Sequence, residues 1–143
     1  MDYLEQSARA VAATIDHHLP DHVHVQPYDP VGHGFDVPLV SVGLPSMQPA
    51  DYDEGNSELG SFDWWVVWPV TLYVGLTDPE PDQAAARDLT VAIIEAFHKD
   101  PTCGGDVEDA SVTNVQSGYN DANTNRRLIV VEFDVTTYSR RAT

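Results

Sequence analysis

The chain has almost no lysine or cysteine and few positive charges. It holds one lysine (Lys99) and one cysteine (Cys103), and seven Lys and Arg residues stand against 23 Asp and Glu, giving a net charge of -16. A single cysteine excludes an internal disulfide framework. A surface this acidic repels phosphate, so the composition predicts no sequence-specific binding to nucleic acid.

Long apolar runs are also missing. The longest, Trp64–Val70, is far shorter than the roughly 20 residues that cross a bilayer. The first residues, Met1–Glu5, show neither the basic region nor the apolar block of a signal peptide. We therefore expect a soluble protein without membrane contacts. A chain of 143 residues fits one domain that buries roughly two-thirds of its unfolded surface.

Hydrophobic periodicity predicts the element order α-β-β-β-α-β-β. The expected elements are a helix Tyr3–Leu19, strands His22–Gln26, Val37–Leu44 and Phe62–Leu76, a helix Asp82–Lys99, and strands around Ser111–Gln116 and Arg127–Tyr138. Helices separated by strands in this way are typical of an α+β domain. We expect a single domain over residues 1–143, a mostly antiparallel sheet with two helices packed on one face.

The strand beginning at Phe62 has two contrasting faces. Its even positions are all apolar, which predicts that they face the core. Its odd positions include Trp65, Val67 and Tyr73, on the opposite face. Exposed aromatic residues are enriched in subunit interfaces, but a second small core would need the same residues. The sequence leaves both interpretations open.

A long polar segment, about 45–61, precedes this strand. It contains Asp51, Asp53, Glu54 and Glu58 and few apolar residues. The glycine and the last glutamate fall at the wrong offsets for an EF-hand. A solvated acidic loop is therefore favoured over a weak cation site, and loops of this length in small domains are commonly functional or disordered.

No motif predicts a catalytic centre. Five histidines lie near the end of the first helix, at His17, His18, His22, His24 and His33. No cysteine or carboxylate is spaced to complete a zinc site with them, so a polar strand face is favoured. Gly104-Gly105 lacks the rest of a phosphate-binding fingerprint. We expect no catalytic residues, metal or cofactor, and a protein that is not an enzyme.

The order of elements, together with Asp100-Pro-Thr-Cys-Gly-Gly-Asp-Val107 after the second helix, resembles tail terminator (tail completion) proteins of long-tailed viruses that infect bacteria and archaea. In that family a similar turn, Asp-Pro-Thr-Leu-Gly-Gly, follows the second helix. Here Cys103 replaces the usual apolar residue.

The resemblance implies a structural virion protein, assembled in the host cytoplasm. It would form a ring, usually hexameric, that caps the head-proximal end of the tail tube, ends tube polymerisation and joins the tail to the neck. Its partners would be copies of itself, the tail tube protein and a neck or head-completion protein.

The residue pattern is compatible with such a ring and suggests two sets of contact residues. Ring closure would use Trp65, Val67 and Tyr73, and contacts with tube or neck would use Asp51, Asp53, Glu54, Arg140 and Arg141. Four of the seven positive residues lie within the last 18, which suits packing of an acidic body against copies of itself. The alternatives are a head-completion or stopper protein of the same virion, and a small ligand- or protein-binding module.

Overall fold

The computed structural model describes residues 2–32, 34–49, 61–120 and 127–142. It confirms the predicted fold class, a single α+β domain with two helices and a mostly antiparallel sheet, here of six strands in the described part of the chain. The elements are α1 (Tyr3–His17), β1 (His24–Gln26), β2 (Leu39–Val42), β3 (Ser46–Pro49), β4 (Ser61–Gly75), α2 (Pro79–Lys99), β5 (Asp109–Asn120) and β6 (Leu128–Ala142).

Both helices begin at residues suited to that position. Asp2 caps α1 by accepting a hydrogen bond from the backbone N–H of Glu5 at 2.9 Å. Proline at the first position of α2 loses no hydrogen bond, because that N–H has no partner within a helix. The helix therefore begins at Pro79, about one turn before the predicted start at Asp82.

The sheet has β4 and β6 at its centre. The strand order is β1-β2-β4-β6-β5, and β3 also pairs with β4. The β1–β2 pair is parallel and the other pairs are antiparallel. Strand β5 therefore forms one edge of the sheet and β1 the other.

The core lies between the sheet and both helices. The even positions of β4 from Val66 to Val74 are buried, as the alternation predicts. Trp68 is 1% exposed, and its indole Nε1 donates a hydrogen bond to Thr137 Oγ1 at 3.2 Å. The apolar pattern of α2 in the sequence predicts that Val91 is buried, but it is 53% exposed.

Pro69 lies inside a central strand, although a proline within a strand pattern predicts an edge position or a bulge. On one side β4 pairs with β2 through Val70 and with β3 through Val67, and Pro69 falls between these two pairings. The missing proline N–H therefore disrupts neither ladder. Its carbonyl accepts a hydrogen bond from Gly43 N–H at 2.8 Å. A Cβ on Gly43 would lie 2.9 Å from Asp29 Oδ1, so this approach requires glycine.

Strand β3 occupies the beginning of the segment predicted as a long loop. Met47 of this strand packs against the core, opposite Val66. Residues 50–60 lie outside the described part of the chain. Strands β5 and β6 both extend beyond the predicted ranges, because their mutual pairing continues from Asp109 to Asn120.

The turn after α2 uses three successive residues of positive φ. These are Cys103 at 50°, Gly104 at 71° and Gly105 at 95°. The carboxylate of Asp100 accepts the Gly104 N–H, with its nearer oxygen at 3.0 Å. Glycine is the residue that adopts this conformation without steric cost. Cys103 adopts it with its side chain buried in the core.

In the described part of the chain, neither helix combines the length and the hydropathy needed to cross a membrane.

Candidate interaction surfaces

Trp65, Val67 and Tyr73 lie on the sheet face that is turned away from the helices, here called the open face. Their partners directly across on β6 are Tyr138, Thr136 and Val130. Residues directly opposite in an antiparallel pair share a face. The structure thus places all three predicted residues on one side of the sheet, at different positions along β4.

The Tyr73 end of the open face is covered. The Phe35 ring meets Tyr73 edge-on with 4.9 Å between centroids, and Val37 lies over Gly75. Leu39, opposite Tyr73 on β2, is 1% exposed. Burial raises the pKa of Tyr73, and the charge of Asp29 adds to this. This end is a small second core beneath the segment before β2.

The Trp65 end of the same face is accessible. The indole is 38% exposed and packs on the Tyr138 ring, with 4.9 Å between centroids. The Tyr138 hydroxyl donates a hydrogen bond to Asp63 Oδ2 at 2.8 Å, which fixes the ring beneath the tryptophan. A shallow depression of about 380 Å³ adjoins Trp65 and is also lined by Met47 and Val67.

The open face is also acidic. Asp109 lies opposite Tyr138, Asp134 opposite Pro69, and Glu132 opposite Thr71. Asp109 and Glu132 are exposed and Asp134 is partly buried. A partner that covers Trp65 therefore also meets carboxylates.

A second candidate surface is a groove between α2 and β5, on the helix side of the sheet. Its volume is about 540 Å³. Its most exposed apolar residues are Val91 at 53%, Val115 at 39% and Tyr119 at 56%. Large apolar side chains exposed together commonly mark a binding surface.

Two arginines lie at this groove, here called the α2–β5 groove. Arg87 lines it, and the Arg127 guanidinium lies 4.9 Å from the centroid of the Tyr119 ring. Gln83 Nε2 donates to the Tyr119 hydroxyl at 3.1 Å and connects α2 with β5. Arg9 and Lys99, outside this groove, each pair with a glutamate one turn away on the same helix, at 3.5 and 3.9 Å.

Sequence reasoning missed the α2–β5 groove. One signal could have revealed it: Ala110–Asn120 contains no charged residue, in a chain where 21% of residues are charged. The sequence shows Arg127 only as one of the four positive residues within the last 18. Its approach to Tyr119 depends on the β5–β6 register, which the sequence does not display.

A third apolar depression of about 590 Å³ lies beside the start of α1. It includes Tyr28 and Leu44, which are 62% and 87% exposed. These residues flank β1 and β2, and the first turn of α1 contributes Asp2 and Glu5 to the same surface. It carries acidic rather than basic side chains.

The residues predicted to contact tube or neck can be placed only in part. Asp51, Asp53 and Glu54 lie outside the described residues. Arg140 and Arg141 belong to β6, opposite Asp63 and Phe62, rather than to a tail beyond the last strand. Their role in contacts stays a prediction.

The described histidines near the end of α1, His17, His18, His22 and His24, do not come together as a metal site, and His33 lies outside the described residues. Across residues 2–32, 34–49, 61–120 and 127–142, no group of three or more His, Cys, Asp or Glu is arranged to hold a metal ion. His18 Nδ1 lies 2.9 Å from the carbonyl oxygen of Thr14, a contact within the helix end.

No protein-family model matches this chain. A search of curated proteins also finds no match.

Proposed function

We propose that this protein is a structural subunit that assembles with copies of itself into a tail-terminator ring. The ring would cap the head-proximal end of a viral tail tube, end its polymerisation and provide the docking surface for the neck. The observation that carries the proposal is the exposed Trp65, supported by Tyr138 at the accessible end of the open face. The order of elements and the turn at Asp100–Val107 support the same assignment.

An exposed tryptophan held by neighbouring side chains is well suited to anchoring a protein contact. Trp is enriched among the few residues that supply most interface binding energy. Hydrogen bonding of Tyr138 to Asp63 restricts the ring on which Trp65 rests, so little side-chain freedom remains to be lost on binding. Val67, on the same face, extends the apolar contact around it.

This function would depend on the shape of the ring and its contact surfaces, and it would involve no catalysis. A subunit with two different contact surfaces forms a closed ring when the rotation between neighbours closes. Such a ring ends a polymer when one side binds the last tube subunits and the other side offers no equivalent site. The neck protein would then bind that second side.

The test combines gene disruption with one substitution. Electron microscopy of lysates lacking the gene should show overlong tubes, or tails unattached to heads. Trp65→Ser should reproduce this defect while the isolated protein keeps its circular dichroism spectrum. Val31→Ser is the control, because Val31 is 96% exposed and does not line the depression beside Trp65.

The alternatives predict different particles. Tails of normal length beside tail-less or leaking heads would assign the protein to the neck, as a head-completion or stopper protein. Fully normal particles would contradict a role in tail assembly and favour a binding module. Normal assembly with a folded Trp65→Ser protein would remove Trp65 from the ring contact.

A further inference from the structure

We propose that the α2–β5 groove of one subunit binds the open face of the next copy of the chain. This inference rests on the proposed function only in taking a second copy as the partner. It assigns the contact to two different surfaces on opposite sides of one sheet. The open face would contribute Trp65 and carboxylates, and the groove would contribute arginines and apolar side chains.

Charge complementarity identifies the partner as an acidic surface. Each copy has a net charge of -16, so most approaches between copies are repulsive. Arg87 lines the groove and is exposed, so it gives the groove a positive charge. Asp109, exposed opposite Tyr138, gives the Trp65 end of the open face a negative charge. Complementary charges favour this contact and disfavour contact of either surface with itself.

The strand beside the groove adds no negative charge to it. From Ala110 to Asn120, β5 contains no charged residue, in a chain whose net charge is -16. The β5 wall of the groove therefore lacks the carboxylates that oppose contact between copies.

Apolar side chains in the groove match the aromatic anchor on the open face. Val91, Val115 and Tyr119 are exposed here although apolar residues of a monomer gain by burial. A tryptophan inserted beside them would lose its remaining exposed area.

Two variants test the groove and the open face separately. Arg87→Glu reverses a charge in the groove, and Arg87 is exposed on α2, so the fold should tolerate the change. Lys99→Glu is the matched control, with the same charge change at the other end of the same helix. Trp65→Ser disables the open face. Sedimentation equilibrium of the full chain, at a salt concentration that screens general repulsion, measures association.

The wild type and Lys99→Glu should associate equally, within about twofold. Arg87→Glu and Trp65→Ser should each weaken association at least about tenfold, the scale of a lost charged or aromatic contact in an interface. An Arg87→Glu protein that associates like the wild type would overturn the inference. So would a wild type that stays monomeric both alone and on purified tail tubes.

Mixing the two variants gives the sharpest test. Each retains one intact surface, so the mixture should form one-to-one heterodimers in native mass spectrometry although each variant alone is monomeric. A two-fold contact of one surface with itself predicts no such rescue, and an unrescued mixture would contradict the inference. A tube-capping assay separates this inference from the proposed function. If rings cap tubes without needing Arg87, only the role of the groove is refuted.

Discussion

Trp65 and Trp68 occupy one strand and have opposite environments. Trp68 is buried with its indole N–H bonded to Thr137, whereas Trp65 is exposed on the open face. They differ because residues three apart on a strand point to opposite sides of the sheet. This distinction could be predicted from the sequence, since alternation is a local property of the chain.

The environment of Tyr73 could not be predicted from local alternation. It shares the open face with Trp65, but Phe35 covers it and Leu39 packs on the same side. No periodicity in β4 indicates this, because it depends on the path of a segment more than thirty residues earlier in the chain. The sequence therefore identified the face, and only the fold separated its covered end from its accessible end.

Cys103 should be unreactive in the native protein. Burial raises the pKa of its thiol from 9.0 to about 11, and the nearby carboxylates of Asp100 and Asp106 add to the shift. The thiolate is the reactive form, so near neutral pH its population should fall about 100-fold. Alkylation by iodoacetamide should be at least about 100-fold slower in the native than in the denatured protein.

An exposed cysteine provides the control for this measurement. Ser117→Cys in a Cys103→Ser background places a thiol on the exposed part of β5. It should react at similar rates in native and denatured protein. Equal rates for Cys103 in the two states would contradict its burial in the turn after α2.

At the scale of elements, the long regular segments were predictable and the short or paired ones were not. The apolar stripe of α2 and the alternation of β4 extend over many residues and give clear periods. Strand β3 has four residues, too few for any period, and exists because β4 offers it an edge. Val91 is exposed because the α2–β5 groove opens beside it, which a helical wheel cannot show.

The start of α2 should depend on the charge of Asp82. Its carboxylate accepts backbone N–H groups from Thr77 at 2.7 Å and Asp78 at 2.9 Å. These bonds lower the pKa of Asp82 below 3.8. A carboxyl group whose pKa is lowered by folding stabilises the protein at pH values above its ordinary pKa. This stabilisation is lost as the pH falls through the pKa of the folded state.

We therefore expect Asp82→Asn to lower the melting temperature at neutral pH, with a difference from the wild type that shrinks as the pH falls below 3.8. Thermal unfolding followed by circular dichroism across this range measures it. Asp88→Asn, an exposed position on the same helix, should show no comparable loss. A deficit for Asp82→Asn that stays constant with pH would show that the charge does not matter.

On the scale of the whole molecule, the dominant quantity is the net charge of -16. Self-repulsion opposes the compact state, and salt screens it. Raising monovalent salt from about 0.01 M to about 0.15 M shortens the Debye length from about 30 Å to about 8 Å. We expect the melting temperature to rise by about 4 °C, equivalent to roughly 1 kcal/mol.

Sodium and potassium chloride should act equally, because screening depends on ionic strength and not on the identity of the cation. A melting temperature that is unchanged or lower in salt would contradict net repulsion. A rise with only one of the two salts would instead indicate a specific ion site. Calorimetry in both salts distinguishes these results.

Pro69 separates the β2 and β3 ladders on one side of β4, while on the other side β4 pairs with β6 without a break from Ser61 to Gly75. Separate ladders allow a sheet to open locally in one part while the other stays closed. Strand β3 can therefore detach and re-form on its own, while β6 keeps both Trp65 and Tyr73 in place.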